Sequence, residues 1–392
     1  MNDMKRVRYL PTVAAALLLA ATACSEGAES DVVLPEVPTF EGTIDLEIGD
    51  VDGDDPYLFS YILDVVADER GRIIVADRNS AEIRVFGPEG DFAFHFGGPG
   101  EGPGEFGDLC CMGFAPGGEL WVRESARYSA FVLGSDGAEH QRVLRTPHPG
   151  YIGFWGGQPF AFDMGGDLVS VGPVSGYGDV SLDARLRVLP DGAVDTVLMA
   201  DEERQTVSQE TVPFSRAGIG GFTYLHQPFG PQWIHAHANG GTWADAVTSD
   251  YAISLHRPDG TVALIEGPAL EGPPLSESDR DWAQSRMDRD LDRAGIRSHP
   301  FEIPDRKPPL ADMFFDSAGR LWVVKTLAAG ESVRNADVWD GTTLVAHYRW
   351  PSRIRDLPTP WATESALYGV TADTLGVHRA ARVRFVPTRR TS

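Results

Sequence analysis

The stretch that decides the fold is Gly71–Gly90, GRIIVADRNSAEIRVFGPEG. A Gly opens it, and the apolar run Ile73–Ala76 is too short for a helix. The polar residues Asp77–Asn79 follow, then a second run at Ile83–Phe86. Pro-Glu-Gly closes the unit, with Gly at a turn position that requires φ > 0. The phrase returns as GELWVRE from Gly118, GDLVSVG from Gly166, GTWADAV from Gly241 and GRLWVVK from Gly319, closed at Gly137, Gly192, Gly260 and Gly341. Opening and closing glycines lie 19, 19, 26, 19 and 22 residues apart, while the openings are spaced by 47, 48, 75 and 78. Constant hairpins joined by variable loops, at a period of roughly 50, predict an all-β chain folded as a β-propeller.

The apolar runs Ile73–Ala76, Leu120–Val122, Leu168–Val171 and Leu321–Val324 read as strands buried on both faces. Ile83–Phe86, Ala130–Leu133, Leu186–Leu189 and Ala252–Leu255 read as their partners. A weaker outer strand and an inner strand before each Gly bring each unit to about four strands. A sixth, degenerate unit comprises Leu367–Thr371, Leu375–His378 and Arg382–Val386. The orphan segment Thr43–Ile48 supplies its missing outer strand and removes two open sheet edges. The expectation is one six-bladed β-propeller over residues 38–388. Ser276–Leu291 breaks the β pattern: Ser276 or Ser278 suits an N-cap, acidic residues fill the first turn, and Trp282, Met287 and Leu291 share a face. This predicts a short helical insertion over the junction of the fourth and fifth blades.

Residues 1–23 read as a signal peptide, with Lys5, Arg6 and Arg8 ahead of the apolar stretch Val13–Ala21. Ala21-Thr22-Ala23-Cys24 resembles a lipobox, with Ala21 where Leu is usual. Either Cys24 is lipidated and tethers the chain, with the outer membrane the expected site, or a plain cleavage follows Ala23. Residues 24–37 then form a flexible linker. A formal charge of −23 disfavours nucleic acid and anionic membrane surfaces as partners, so membrane contact is expected through the lipid alone. The adjacent Cys110 and Cys111 make either a vicinal disulfide or two buried thiols.

GRIIVADRNSAEIRVF (Gly71–Phe86) resembles the NHL-type repeat. FGGPGEGPGEF (Phe96–Phe106) resembles the inter-blade loop of bacterial six-bladed propeller lipoproteins of the NHL or TolB-like type. The resemblance implies fold and export. It implies binding modules in most members, and central-metal lyases, lactonases or esterases in a minority.

The Gly-rich loop Gly97–Gly104 lacks a Gly-Lys-Ser/Thr ending and reads as a crossing between blades. His235 and His237 share one face of a strand and could hold Zn²⁺, with Asp245 or His226 completing the site. Their columns elsewhere hold Val65, Met112 and Phe160, or Ala67, Phe114 and Phe162, so two core-facing imidazoles are the other reading. One position earlier stand Asp64 and Asp312, expected to face the central channel. They are candidate Ca²⁺ ligands, or caps for backbone N–H groups. Asp77 and Glu124 end matching strands and are expected to accept backbone N–H bonds at their turns. Trp155, Phe222, Tyr224 and Trp282 are the candidate ligand contacts, standing in long insertions and the helix. No Gly-x-Ser-x-Gly, His-Glu-x-x-His or Cys-x-x-Cys occurs. The leading expectation is therefore an exported module that binds a protein, peptide or glycan at its loop face and has no catalytic residue. The alternatives are a metal-dependent hydrolase or lyase at the channel mouth, and a scaffold subunit of an envelope complex.

Overall fold

The computed structural model describes residues 32, 34–124, 127–145, 160–177, 180–198, 202–216 and 219–388. Residues 1–23, where a signal peptide is expected, and the candidate residues Cys24 and Trp155 lie outside the described residues. Strand β1 (Thr39–Ile48) precedes a series of four-stranded antiparallel units. The first is β2–β5 (Ile62–Ala67, Ile73–Asp77, Glu82–Phe86, Phe92–Gly97). The second is β6–β9 (Leu109–Phe114, Leu120–Glu124, Arg127–Leu133, Ala138–Arg145), and the third β10–β13 (Ala161–Phe162, Leu168–Tyr177, Val180–Val188, Val194–Leu198). Helix α1 (Glu202–Gln205) and the hairpin β14–β15 (Gln209–Arg216, Ile219–His226) come next. They are followed by β16–β19 (Trp233–His237, Trp243–Val247, Ala252–His256, Val262–Glu266). Helix α2 (Glu277–Ala294) leads to β20–β23 (Leu310–Phe315, Leu321–Lys325, Val333–Asp340, Thr343–Pro351), and β24–β26 (Trp361–Ala362, Ala366–Ala372, His378–Pro387) end the fold. The arrangement is that of a β-propeller.

In four of the described units the hairpin joining the first two strands is built by one aspartate, three residues before the Gly of the turn; Ala115 and Ala238 hold that place in β6–β9 and β16–β19. Asp68 Oδ1 accepts the N–H groups of Arg70 and Arg72 at 3.0 and 2.9 Å. Asp163, Asp316 and Asp373 each accept the matching pair of N–H groups. Gly71 and Gly319 then take φ of +76° and +81°, which closes the turn without a Cβ clash. Second strands such as β3 and β7 are buried at every position, as strands packed between two sheets must be.

Strand β1 pairs antiparallel with β26 from Phe40↔Pro387 to Ile48↔Ala380, supplying the missing outer strand. It also pairs in parallel with β23 at Thr39–Glu41, which fuses two units into one eight-stranded sheet, a pairing the sequence did not signal. The last unit differs from expectation in a second way. Leu375–His378 is not a separate strand, because Asp373 binds the N–H groups of Leu375 and Val377 and makes this segment the inner turn. The inner strand is β25, beside β2, and the two-residue β24 pairs along its free edge.

Adjacent units pack through apolar seams. Ile74, Ile83 and Val85 meet Met112, Leu120 and Phe131, and Trp121 and Tyr128 meet Phe160, Phe162 and Leu168. Ala244, Ile253 and Leu255 meet Met313, Val323 and Trp339, while Trp322 and Tyr348 meet Leu367 and Phe385. Val370 and Ala380 complete the set against Val65, Ile73 and Phe86. Among the described residues no apolar cluster fills the seam between β10–β13 and β16–β19.

Helix α2 starts at a capping box, where the Ser276 hydroxyl accepts the Asp279 N–H and the Asp279 carboxylate accepts that of Ser276. It stops at Gly295 with φ +69°. Its buried face is Ala283, Met287 and Leu291, packed on Val212 and Leu225 of β14–β15. Trp282 is not on that face: it is exposed, one residue round from the expected stripe.

Asp316 also takes the Arg320 Nε and the buried Trp322 Nε1, at 2.8 and 3.0 Å. Replacing it by Ala orphans four donors. Asp316→Ala should cost about 2–4 kcal/mol in urea unfolding, whereas an exposed control such as Glu69→Ala should change stability by less than about 0.5 kcal/mol.

Candidate active site

The unfilled seam is polar because of strand alternation. On β16 and β17, Ile234, Ala236, Ala244 and Ala246 belong to the apolar seam with β20–β23. The alternate residues Trp233, His235, His237, Trp243 and Asp245 therefore face the other way, joined by His256 of β18 opposite Trp243. Across the seam Arg185 of β12 sets its guanidinium 5.7 Å from the Trp243 ring centroid. The rings form a continuous row: Trp233–His235 4.8 Å, His235–His237 5.3 Å, His237–Trp243 6.0 Å and Trp243–His256 3.6 Å between centroids.

Asp245 is fully buried at the centre of this face. It accepts Trp233 Nε1 at 3.0 Å, Arg204 Nη1 of α1 at 2.9 Å and His256 Nε2 at 2.7 Å. Its charge is thereby compensated, and it holds the proton of His256 on Nε2. That leaves Nδ1 as the lone-pair nitrogen of a side chain still 22% exposed. Around this pair stand buried nitrogens without a protein partner: His235 Nδ1, both nitrogens of His237, and Arg185 Nε. Burial pushes His235 down to about 4, against the pull of Asp245. His237 lies well below the usual imidazole range through burial first, with the positive charge of Arg185 acting in the same direction. Both are neutral near pH 7, each offering one donor and one acceptor beside a guanidinium. Partnerless buried nitrogens in a seam that apolar side chains fill elsewhere mark a place built for a polar ligand.

His235 and His237 do come together as their spacing predicts, but the set does not suit a cation. Asp245 already accepts three donors, Arg185 adds positive charge, and His226 lies elsewhere, beside Arg286. Among the described residues no three His, Cys, Asp or Glu converge to hold a metal ion.

Asp64 and Asp312 do not form a shared oxygen cage. Asp64 accepts the N–H of Val65 at 2.8 Å and of Met112, in the next unit, at 2.7 Å. Asp312 accepts that of Met313 at 2.8 Å. Both sit at register shifts of their inner strands and cap the backbone there. Burial pushes each carboxyl up to about 7, with those backbone bonds opposing. Cys110 and Cys111 are joined as a vicinal disulfide. Among the described residues Asp77 accepts the N–H groups of Ser60 and Tyr61, and Glu124 that of Gly107, all from the segment leading into the unit. Phe222 and Tyr224 stand on β15, and the exposed Trp282 meets Phe229.

A cavity of about 590 Å³ sits at the hairpin end of the channel, where Ala67, Phe114, Asn239, Ser317 and Thr363 meet. Asn239 spans this end, donating to Phe114 O and accepting from Phe162 N at 3.0 and 3.1 Å. A second carboxylate–imidazole pair, Asp337–His347, lies in the next unit. Lys325 and Tyr251 already satisfy that carboxylate, and no partnerless imidazole nitrogen adjoins it among the described residues.

The sequence reading missed His256, Arg185 and Arg204. His256 alone left a signal, as the residue alternating with Ser254 on the partner strand of Trp243 and Asp245.

No protein-family model and no curated protein matches the chain. Solved structures do. Virginiamycin B lyase from Staphylococcus aureus is 9% identical over 88% of this chain and 100% of that one, with a TM-score of 0.42. PQQ-bound aldose sugar dehydrogenase from Streptomyces coelicolor is 14% identical over 88% and 98%, TM-score 0.40. The calcium-binding protein regucalcin from Agrobacterium tumefaciens is 11% identical over 89% and 97%, TM-score 0.42. The expectation of a binding module without catalysis is corrected here: the polar seam carries an oriented carboxylate–imidazole pair.

The buried groups pull stability in opposite directions between about pH 4 and pH 7. Asp64 and Asp312 have folded-state values above the unfolded one, so their contribution falls as pH rises through this range. His235 and His237 have depressed values, so theirs is complete above about 6.5 and falls as pH drops. In denaturant titrations at stepped pH, His235→Phe/His237→Phe should lose stability as pH rises from 4 to 7. Asp64→Asn/Asp312→Asn should gain it, each by on the order of 1 kcal/mol relative to wild type. Parallel profiles for the two variants would contradict this assignment.

Proposed function

We propose that the chain is an enzyme, a lyase or hydrolase that works by general acid–base catalysis in the polar seam. The reading rests on one observation, the 2.7 Å bond from His256 Nε2 to the inaccessible Asp245. An imidazole oriented by a buried carboxylate is the recurrent form of a protein base. His256 Nδ1 takes a proton from a carbon next to a carbonyl, or from an attacking water, and returns it to the leaving group. Arg185 stabilises the negative charge that develops on the carbonyl oxygen, in a setting where burial strengthens that interaction. The neutral His235 and His237 hydrogen-bond and orient the substrate. A cation next to two neutral imidazoles favours a substrate that is anionic or becomes so in the transition state.

The same proposal takes the fold as a six-bladed propeller closed by β1, of the NHL-like kind that Gly71–Phe86 resembles. It takes the chain as exported and anchored through Cys24, which Lys5, Arg6, Arg8 and the lipobox-like Ala21–Cys24 support. Among the described residues no helix is long and apolar enough to cross a membrane.

The test is a panel of lactones, aryl esters and β-substituted carboxylic acids incubated with the protein in D₂O. Proton NMR follows ring opening, elimination and deuterium uptake next to the carbonyl. At least one class should react. His256→Ala should slow it at least 100-fold and Asp245→Asn at least 10-fold, while Arg185→Gln should raise KM and lower kcat. Unchanged turnover in His256→Ala, or no reaction of any member with folded wild-type protein, sinks the proposal.

A further inference from the structure

A second cavity, of about 330 Å³, lies under α2 on the opposite side of β16–β19 from the histidine face. Its lining is unusual for a chain with a formal charge of −23. His226, Arg286 and Lys307 line it together with Phe229 and Trp282, and no Asp or Glu does. Arg286 binds Asp290 through Nε at 2.7 Å, so its two terminal nitrogens remain as a fork. Lys307 gives one of its three donors to Asp279, at 2.9 Å, and its ammonium lies 5.3 Å from the Phe229 ring centroid. Burial, then the charge of Arg286, pushes His226 below the usual imidazole range, with Asp290 opposing.

The walls are held in place. Thr248 Oγ1 accepts the Gln232 N–H at 2.8 Å, and Gln227 Nε2 donates to Glu302 O at 2.8 Å. Phe229 has φ +59°, a left-handed conformation that a bulky residue rarely adopts and that persists only where its surroundings enforce it. That backbone sets the Phe229 ring 5.2 Å from the Trp282 ring, at 52°. Trp282 remains 48% exposed at the rim, an aromatic surface that no protein group covers fully.

We propose that this cavity binds a small aromatic carboxylate. The carboxylate lies between the Arg286 fork and the Lys307 ammonium, and the ring packs against Phe229 and Trp282. The volume is at the lower end of small-molecule sites and suits one or two rings. The site is separate from the His256 centre and does not depend on the proposed chemistry.

Fluorine NMR titration with 4-fluorobenzoate tests it, with 4-fluorobenzyl alcohol as the neutral counterpart. Saturable binding is expected, at least tenfold tighter for the carboxylate. It should weaken at least tenfold in Arg286→Gln and in Trp282→Ala, both at exposed positions, and persist in His256→Ala. Unlabelled benzoate should displace the probe, and inorganic phosphate should not. Equal binding of the alcohol overturns the anion assignment, and equal displacement by phosphate overturns the aromatic one. Unaltered affinity in both variants overturns the site itself.

Discussion

One carboxylate at the base of a hairpin sets the geometry on which the rest of the molecule depends. Asp68, Asp163, Asp316 and Asp373 each collect two N–H groups of the turn that follows. A turn so held admits one register between the inner strand and the next. A slip of one residue would move every side chain of the second strand to the other seam. Because those strands are buried on both faces, that error would disrupt two cores at once. In Asp68, Asp316 and Asp373 the second oxygen recruits an arginine at the entry to the next strand, so the turn and the start of that strand are fixed together.

With the register fixed, the seams are determined by what each strand presents. Most present branched and aromatic side chains. The seam between β10–β13 and β16–β19 presents histidines, arginines and a buried aspartate instead. Asp245 is stabilised by three donors, but the imidazoles beside it are not all satisfied. Such a surface is a poor choice for holding two sheets together, since each partnerless buried nitrogen costs stability. Its retention between well-packed neighbours is what a site of chemistry requires: rigid walls around groups left open for a ligand.

Much of the fold was legible because its signals are local. A Gly at a positive-φ turn, a short apolar run and a second Gly can be read within about twenty residues. The aspartate three residues before Gly71, Gly166 and Gly319 was equally local and was overlooked beside the Gly; in the last unit the turn is legible at Ala372-Asp373, but the two N–H groups that Asp373 collects carry it on through Val377. The parallel pairing of β1 with β23 was not legible, since it depends on where a distant strand ends. The site was half legible. His235 and His237 stand out by their spacing, but Arg185 lies in another unit and Arg204 in a four-residue helix. Only tertiary packing brings Arg185 over the Trp243 ring and Arg204 to Asp245. Burial, which turns both imidazoles neutral and two capping carboxyls into near-neutral titrators, has no signature in composition.

The pairing of β1 with β26 bears on how the chain reaches this state. Arg382 meets Asp45 across 337 positions of sequence, while nearly every other strand meets a neighbour from its own unit. Individual units have the means to form early, from contacts close in the chain. Yet beyond the three residues that meet β23, β1 keeps a free edge until the last strand exists, and the first and last units stay exposed to each other's absence. Completion is therefore a single late event. A chain cut short before residue 378 loses the antiparallel partner of β1 and leaves bare strand edges open to pairing with another chain.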